Sequence, residues 1–264
     1  SCFDRTFYGT DGVILQASVR DGQGQVLLEN HTLGCENARV SYRIRNAAGQ
    51  TVLEQEEPLR ERVELTVPSP AYWDGQKAPA LYTLQETLQV DGKTVDEVCV
   101  RFGFKSVSLD PEKGFFLNGR QMKIHGVAKH QDFGGVFNAT GEAQLQQDLR
   151  AILEIGANGV RLSHYQHPQR MYDLCDEAGL VVWAEIPMLK FLDDEALFAN
   201  AENQLKELLY QNMHHPSICF WGIQNEIAMF GESEAMYARM QQLGELVRRM
   251  DPTRLSACAN LFCV

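Results

Sequence analysis

The hydrophobic pattern of this 264-residue chain changes period near Gly103, and no other feature limits the fold as much. Apolar and polar residues alternate before that point, as in Val13–Val19, Ala38–Arg45, Val63–Val67 and Tyr82–Val90. A period of two puts successive side chains on opposite faces of a strand and cannot be satisfied by a helix. Asp21-Gly22, Ala48-Gly49 and Asp91-Gly92 mark the turns. The last is the strongest hairpin signal, because a two-residue type I′ turn needs positive φ at both positions. Strands at this spacing predict an antiparallel, immunoglobulin-like β-sandwich over residues 1–103. No Cys…Trp…Cys framework is present, so an antibody-type domain is not expected.

After a small hairpin at Phe115–Met122, residues 104–264 alternate short apolar runs with helical stretches. Lys123–Val127 precedes Glu142–Leu153, Gly159–Leu162 precedes Pro168–Ala178, and Leu180–Glu185 precedes Asn200–Met213. Ser217–Ile223 then precedes Glu234–Met250, and Leu255–Ala259 follows. Pro168 suits a first helical position, Gly179 a C-terminal cap, and Pro216 and Pro252 stop the helices before them. Repeated strand–helix units with apolar strands predict a parallel sheet with right-handed crossovers.

Composition narrows the function. The net charge is −11, and it is spread evenly: residues 1–103 hold 10 basic and 15 acidic side chains, residues 104–264 hold 14 and 20. No basic arm or long apolar run exists, so neither nucleic acid nor membrane is an expected partner. The seven cysteines (Cys2, Cys35, Cys99, Cys175, Cys219, Cys258, Cys263) form no Cys-x-x-Cys pair. Cys99, Cys175 and Cys219 sit in apolar runs and read as small core residues. An odd, scattered set fits a reducing compartment, so a cytoplasmic location is expected. Gly-x-Gly-x-x-Gly, P-loop, Gly-x-Ser-x-Gly and His-Glu-x-x-His motifs are all absent, and no cofactor or metal is expected.

In parallel α/β folds, polar residues at the C-terminal ends of strands are placed to act. The predicted strands end in Lys129-His130-Gln131, Arg161-Leu162-Ser163-His164-Tyr165, Trp183-Ala184-Glu185 and Gln224-Asn225-Glu226. Apolar residues flank Glu226 on both sides, which predicts a buried carboxyl of the kind that stays protonated and serves as a general acid. Plainer readings stand beside these. His164 and His167 serve equally well as ordinary core histidines, His214-His215 as a helix-end pair, and Trp183 and Trp221 as core or as a sugar-stacking platform.

Three ordered motifs carry a resemblance. They are Gly156–Tyr165, Tyr172–Pro187, and His215-Pro216-Ser217-Ile218 leading to Trp221–Glu226. With Phe102-Gly103-Phe104, Leu117–Arg120 and Pro79–Tyr82, they resemble glycoside hydrolase family 2, nearest to its β-galactosidases, over essentially the whole chain. The resemblance implies an immunoglobulin-like sandwich followed by a (β/α)8 TIM barrel, here truncated at about five strands. It implies retaining hydrolysis of terminal β-galactosides by two carboxylates about 5–5.5 Å apart. Glu226 matches the general acid/base and Asn225 the residue that binds the sugar 2-hydroxyl. His130 and His164 match histidines that hold sugar hydroxyls. Arg161 and Glu185 match polar residues around the carboxylates, the guanidinium helping to keep the nucleophile ionised, and Tyr165 and Trp183 match site-wall positions.

There are departures. Ala128 stands where the family usually has Asn, and Leu189-Lys190-Phe191 replaces the Glu-x-His magnesium pair of some β-galactosidases. The nucleophile is expected beyond Val264 and a sugar-binding domain ahead of the sandwich, so this chain alone should be inactive and should self-associate through exposed barrel edges. Another β-glycosidase such as a β-glucuronidase, or a non-catalytic carbohydrate-binding module, is the alternative.

Overall fold

The structure, a computed structural model, describes residues 2–35 and 37–260. It divides into two compact units. One comprises Ser1–Asp74, Ala78–Ser106 and Tyr210–Pro216, the other Gly75–Lys77, Val107–Leu209 and Ser217–Val264.

The first unit is a sandwich of seven antiparallel strands: β1 (Val13–Arg20), β2 (Gln23–Asn30), β3 (Arg39–Arg45), β4 (Thr51–Pro58), β5 (Arg62–Val67), β6 (Tyr82–Val90) and β7 (Lys93–Phe102). They form two sheets, ordered β1-β2-β5 and β4-β3-β6-β7. The inward residues of the alternating pattern meet in the core, including Val26, Leu28, Val40, Tyr42, Ile44, Leu65, Leu84 and Phe102. Two hairpins close as the sequence predicts. Asp21-Gly22 and Asp91-Gly92 have φ of 51°, 74°, 49° and 73°, the left-handed pair that a type I′ turn requires. β4, which carries no alternation signal, lies at a sheet edge with most side chains in solvent.

Two cysteine findings differ from the sequence expectation. Cys2 and Cys35 form a disulfide, which the scattered spacing did not anticipate. Cys99 is exposed, because it points outward from the edge strand β7. Cys175 and Cys219 are buried, as expected, and Cys263 lies outside the described residues.

The second unit opens with a small antiparallel sheet of β8 (Val107–Asp110), β9 (Gly114–Leu117) and β10 (Arg120–Gln121). Strand–helix repeats follow: β11 (Gly126–Lys129), α1 (Glu142–Glu154), β12 (Gly159–Leu162), α2 (Gln169–Ala178), β13 (Val181–Glu185), α3 (Glu195–Asn212), β14 (Ile218–Asn225), α4 (Glu234–Met250) and β15 (Leu255–Ala259). The five strands form one parallel sheet in chain order, the arrangement of consecutive barrel strands.

Several boundaries move for local reasons. The first strand starts at Gly126 rather than Lys123, because the Asn158 side chain captures that backbone: His125 N donates to its Oδ1 at 2.7 Å and its Nδ2 donates to Lys123 O at 2.9 Å. α3 starts five residues early, capped by Asp194, whose Oδ1 accepts the Leu197 N–H at 2.9 Å. Pro168 is the cap residue before α2 rather than its first turn. Gly179 ends α2 with φ 72°, and a Cβ there would lie 2.3 Å from the Gly75 backbone, so only glycine fits.

Candidate active site

The candidate residues converge at the C-terminal ends of β11 to β14. Alternation along β12 and β13 sends Arg161 and Trp183 to the inner face of the sheet, where the Arg161 guanidinium carbon lies 4.9 Å from the Trp183 ring centroid. From there Arg161 reaches the ends of the next two strands. Its Nε donates to Glu185 Oε1 at 3.0 Å, and its Nη2 donates to Glu185 Oε2 at 3.0 Å and to Asn225 Oδ1 at 2.7 Å. Glu185 is fully buried, and a buried carboxylate is tolerable only when paired in this way. His164 joins the network with Nδ1 3.2 Å from Glu185 Oε1.

The other predicted residues surround this hub. His130 is exposed, with its ring 4.7 Å from that of His164 in an edge-to-face contact. Its strand end is anchored by buried Lys129, whose Nζ lies 2.9 Å from Asp148 and donates to His130 O. Tyr165 accepts the Gln131 N–H at 2.9 Å and stacks on His167. His167 takes the plainer of its two readings. It is buried, its Nε2–H donates to Ser163 O, and burial lowers its pKa to about 4, which keeps it neutral.

Asn225 is buried and its N–H donates to Met188 O, tying the end of β14 to the loop after β13. Glu226 follows in a left-handed conformation, φ 52° and ψ 26°, an uncommon backbone for this residue. Its N–H donates to Ala259 O at the end of β15. The expectation of a buried carboxyl is corrected here: Glu226 is half-exposed. The left-handed turn starts a 3-10 segment, Ile227–Phe230, in which only Ile227 is buried and Met229 and Phe230 face outward. Trp221 is also settled. It sits on the opposite face from Trp183, fully buried, with Nε1 donating to Asp251 Oδ2 at 2.8 Å, and so is core.

Sequence reasoning gives no signal for Gly222. In the fold it lies on β14 beside β13, where a Cβ would approach Trp183 Nε1 to 2.3 Å and Glu185 Cβ to 2.4 Å. The absence of a side chain at this position makes room for both.

Two family models match the chain: "Glycosyl hydrolases family 2" over residues 13–105 and "Glycosyl hydrolases family 2, TIM barrel domain" over residues 108–262. The chain belongs to glycoside hydrolase family 2. A β-glucuronidase of Bacteroides fragilis is 38% identical over 216 residues, covering 79% of this chain and 31% of that protein. A β-galactosidase of Bacteroides ovatus is 31% identical, covering 83% of this chain and 31% of that protein. The crystal structure of an FMN-binding β-glucuronidase from Faecalibacterium prausnitzii superposes with a TM-score of 0.93 at 35% identity, covering 98% of this chain and 41% of that one. The chain thus spans about a third of the length of the two Bacteroides relatives. Membership of family 2 accounts for the architecture, an immunoglobulin-like sandwich followed by the strand–helix repeats of a TIM barrel.

Proposed function

We propose that the protein containing this chain is a retaining β-glycosidase and that Glu226 is its general acid/base. The supporting observation is the cluster that gathers Arg161, His164, Glu185 and Asn225 at three neighbouring strand ends, with Glu226 next in the chain. In this reading Glu226 protonates the leaving glycosidic oxygen, then takes a proton from the incoming water. Asn225 binds the sugar 2-hydroxyl, a contact that strengthens as the ring flattens toward the oxocarbenium ion. His130 and His164 hold further hydroxyls, and Tyr165 and Trp183 line the site. Both oxygens of Glu185 accept from Arg161, so Glu185 organises the site and leaves the nucleophile's role to a different carboxylate.

The sugar is proposed separately. The strand-end motifs favour a β-galactoside, while the identity of 38% to a β-glucuronidase favours a β-glucuronide. A panel of aryl β-glycosides on the complete protein separates them. Glu226→Gln should slow substrates with poor leaving groups by about 100-fold or more, with a smaller loss for activated ones. Equal turnover by variant and wild type on a poor leaving group refutes the assignment.

A further inference from the structure

Glu226 sits in a backbone conformation that needs outside support. At φ 52° and ψ 26° it is left-handed, a region that a residue of this type enters only when its surroundings hold it there. Two of the holding bonds are made by its own backbone. Its N–H donates to Ala259 O at 2.8 Å, and its C=O accepts from the Met229 N–H at 2.9 Å. The third comes from a side chain two residues back.

Gln224 reaches that position because β14 carries a bulge. The ladder pairs Gly222 with Ala257 and Gln224 with Cys258, so β14 advances two residues while β15 advances one, and Ile223 is the extra residue. The slip puts Gly222 and Asn225 on one face, both against the Arg161–Glu185 pair, although regular alternation would part residues three apart. Gln224 takes the other face and is buried. Its Oε1 accepts the Ile227 N–H at 3.3 Å, and its Nε2 donates to Asn260 Oδ1 at 2.7 Å. A backbone N–H can only donate, so Ile227 fixes which way round the Gln224 amide lies. Ile227 is itself buried, where an N–H deprived of its acceptor is costly. One side chain thus ties the residue after Glu226 to the end of β15.

We propose that Gln224 is a positioning residue for Glu226, holding the left-handed turn that aims its carboxyl. The acid/base role of Glu226 rests on the proposed function; the hold on the turn does not.

Two measurements on the complete protein test it. Hydrogen exchange reads the hold on the turn. Gln224→Met keeps the length of the side chain and loses both hydrogen bonds, so peptides covering residues 226–231 should exchange about five- to tenfold faster than in wild type. Unchanged exchange there overturns the proposal whether or not the protein hydrolyses glycosides. Kinetics read the consequence. A misaimed acid costs most where the leaving group needs a proton. Gln224→Met should therefore lose about tenfold in kcat/KM on an aryl glycoside with a poor leaving group and less than about threefold on an activated one. In a Glu226→Gln background the same substitution should cost less than about threefold on either substrate. Asn260→Ala removes the anchor of Gln224 at an exposed position and keeps the test open if Gln224→Met does not fold. It should lose about threefold on the poor leaving group and almost nothing on the activated one. A loss of equal size on both substrates, wild-type rates in the variants, or full additivity with Glu226→Gln overturns the proposal. Wild-type turnover of a poor leaving group by Glu226→Gln would instead sink the proposed function, with the exchange result still standing.

Discussion

Glu86 lies on β6 in the middle of the sandwich core, fully buried, opposite Tyr42 of β3. Neither carboxyl oxygen has a hydrogen-bond partner in the structure, and neither does Asn30 Oδ1. Burial pushes its pKa up from 4.5 to about 8, the neighbouring Asn30 offsetting only part of the rise. In the folded protein at neutral pH the carboxyl is therefore mainly protonated, whereas in the unfolded chain it is ionised. Unfolding releases a proton, so raising the pH favours unfolding. The stability linked to Glu86 is fully present below about pH 4.5 and is lost as the pH rises toward 8. Each pH unit in that window costs roughly 1.4 kcal/mol, so the sandwich should lose roughly 3 kcal/mol between pH 5.5 and 7.5 from this group. Glu86→Gln keeps the shape and cannot ionise. Urea unfolding read by hydrogen exchange in β3 and β6 peptides, at several pH values, isolates the sandwich. The difference in stability between Glu86→Gln and wild type should grow with pH at the stated slope, other titrating groups cancelling in the comparison. Parallel pH profiles for the two proteins would refute the reasoning, because they would mean that Glu86 has the same proton affinity folded and unfolded.

Three other outcomes follow from the structure. Gly222→Ala should destabilise the barrel unit by about 1–3 kcal/mol in urea melts and weaken the Arg161–Glu185 pair, since a Cβ at 2.3 Å from Trp183 forces the ring and Glu185 to move. Reducing the Cys2–Cys35 disulfide, with 33 residues of sequence separation, should lower the stability of the sandwich by about 4 kcal/mol on loop entropy alone, and non-reducing peptide mapping should recover the Cys2–Cys35 crosslink. The chain by itself should self-associate in light scattering, because a cavity of about 620 Å³ on the inner sheet face is lined by Leu109, Val127, Trp183 and Phe220, and β11 and β15 are edge strands.

The sandwich was legible where one face of a strand is dry. β3, β5 and β6 alternate because their inward residues pack between the sheets. β4 carries no such record, because an edge strand in solvent places little constraint on which residue comes next. The helical unit was legible from its buried strands and its caps. Its errors came from side chains that replace a backbone partner, as Asn158 does for Lys123 and His125, or that cap a helix from outside the periodic run, as Asp194 does. The Cys2–Cys35 pair was not legible because spacing alone does not give connectivity.

The two tryptophans show what the site required beyond the pattern. Trp183 and Trp221 end neighbouring apolar strands and look equivalent in sequence. The ladder pairs Trp183 with Phe220 and Trp221 with Ala184, so the two rings lie on opposite faces of the sheet. One stays on the inner face against Arg161, and the other is buried with its indole nitrogen on Asp251. Residue type at a strand end therefore names the candidates, and register decides which of them face the chemistry. The hydrogen bonds between strand ends lie one level deeper. Arg161 meets Glu185 and Asn225 across 24 and 64 residues of sequence, and nothing in the chain order tells which of its protons goes where. Only the fold brings them within hydrogen-bond distance, and there one guanidinium ties the ends of β13 and β14 together.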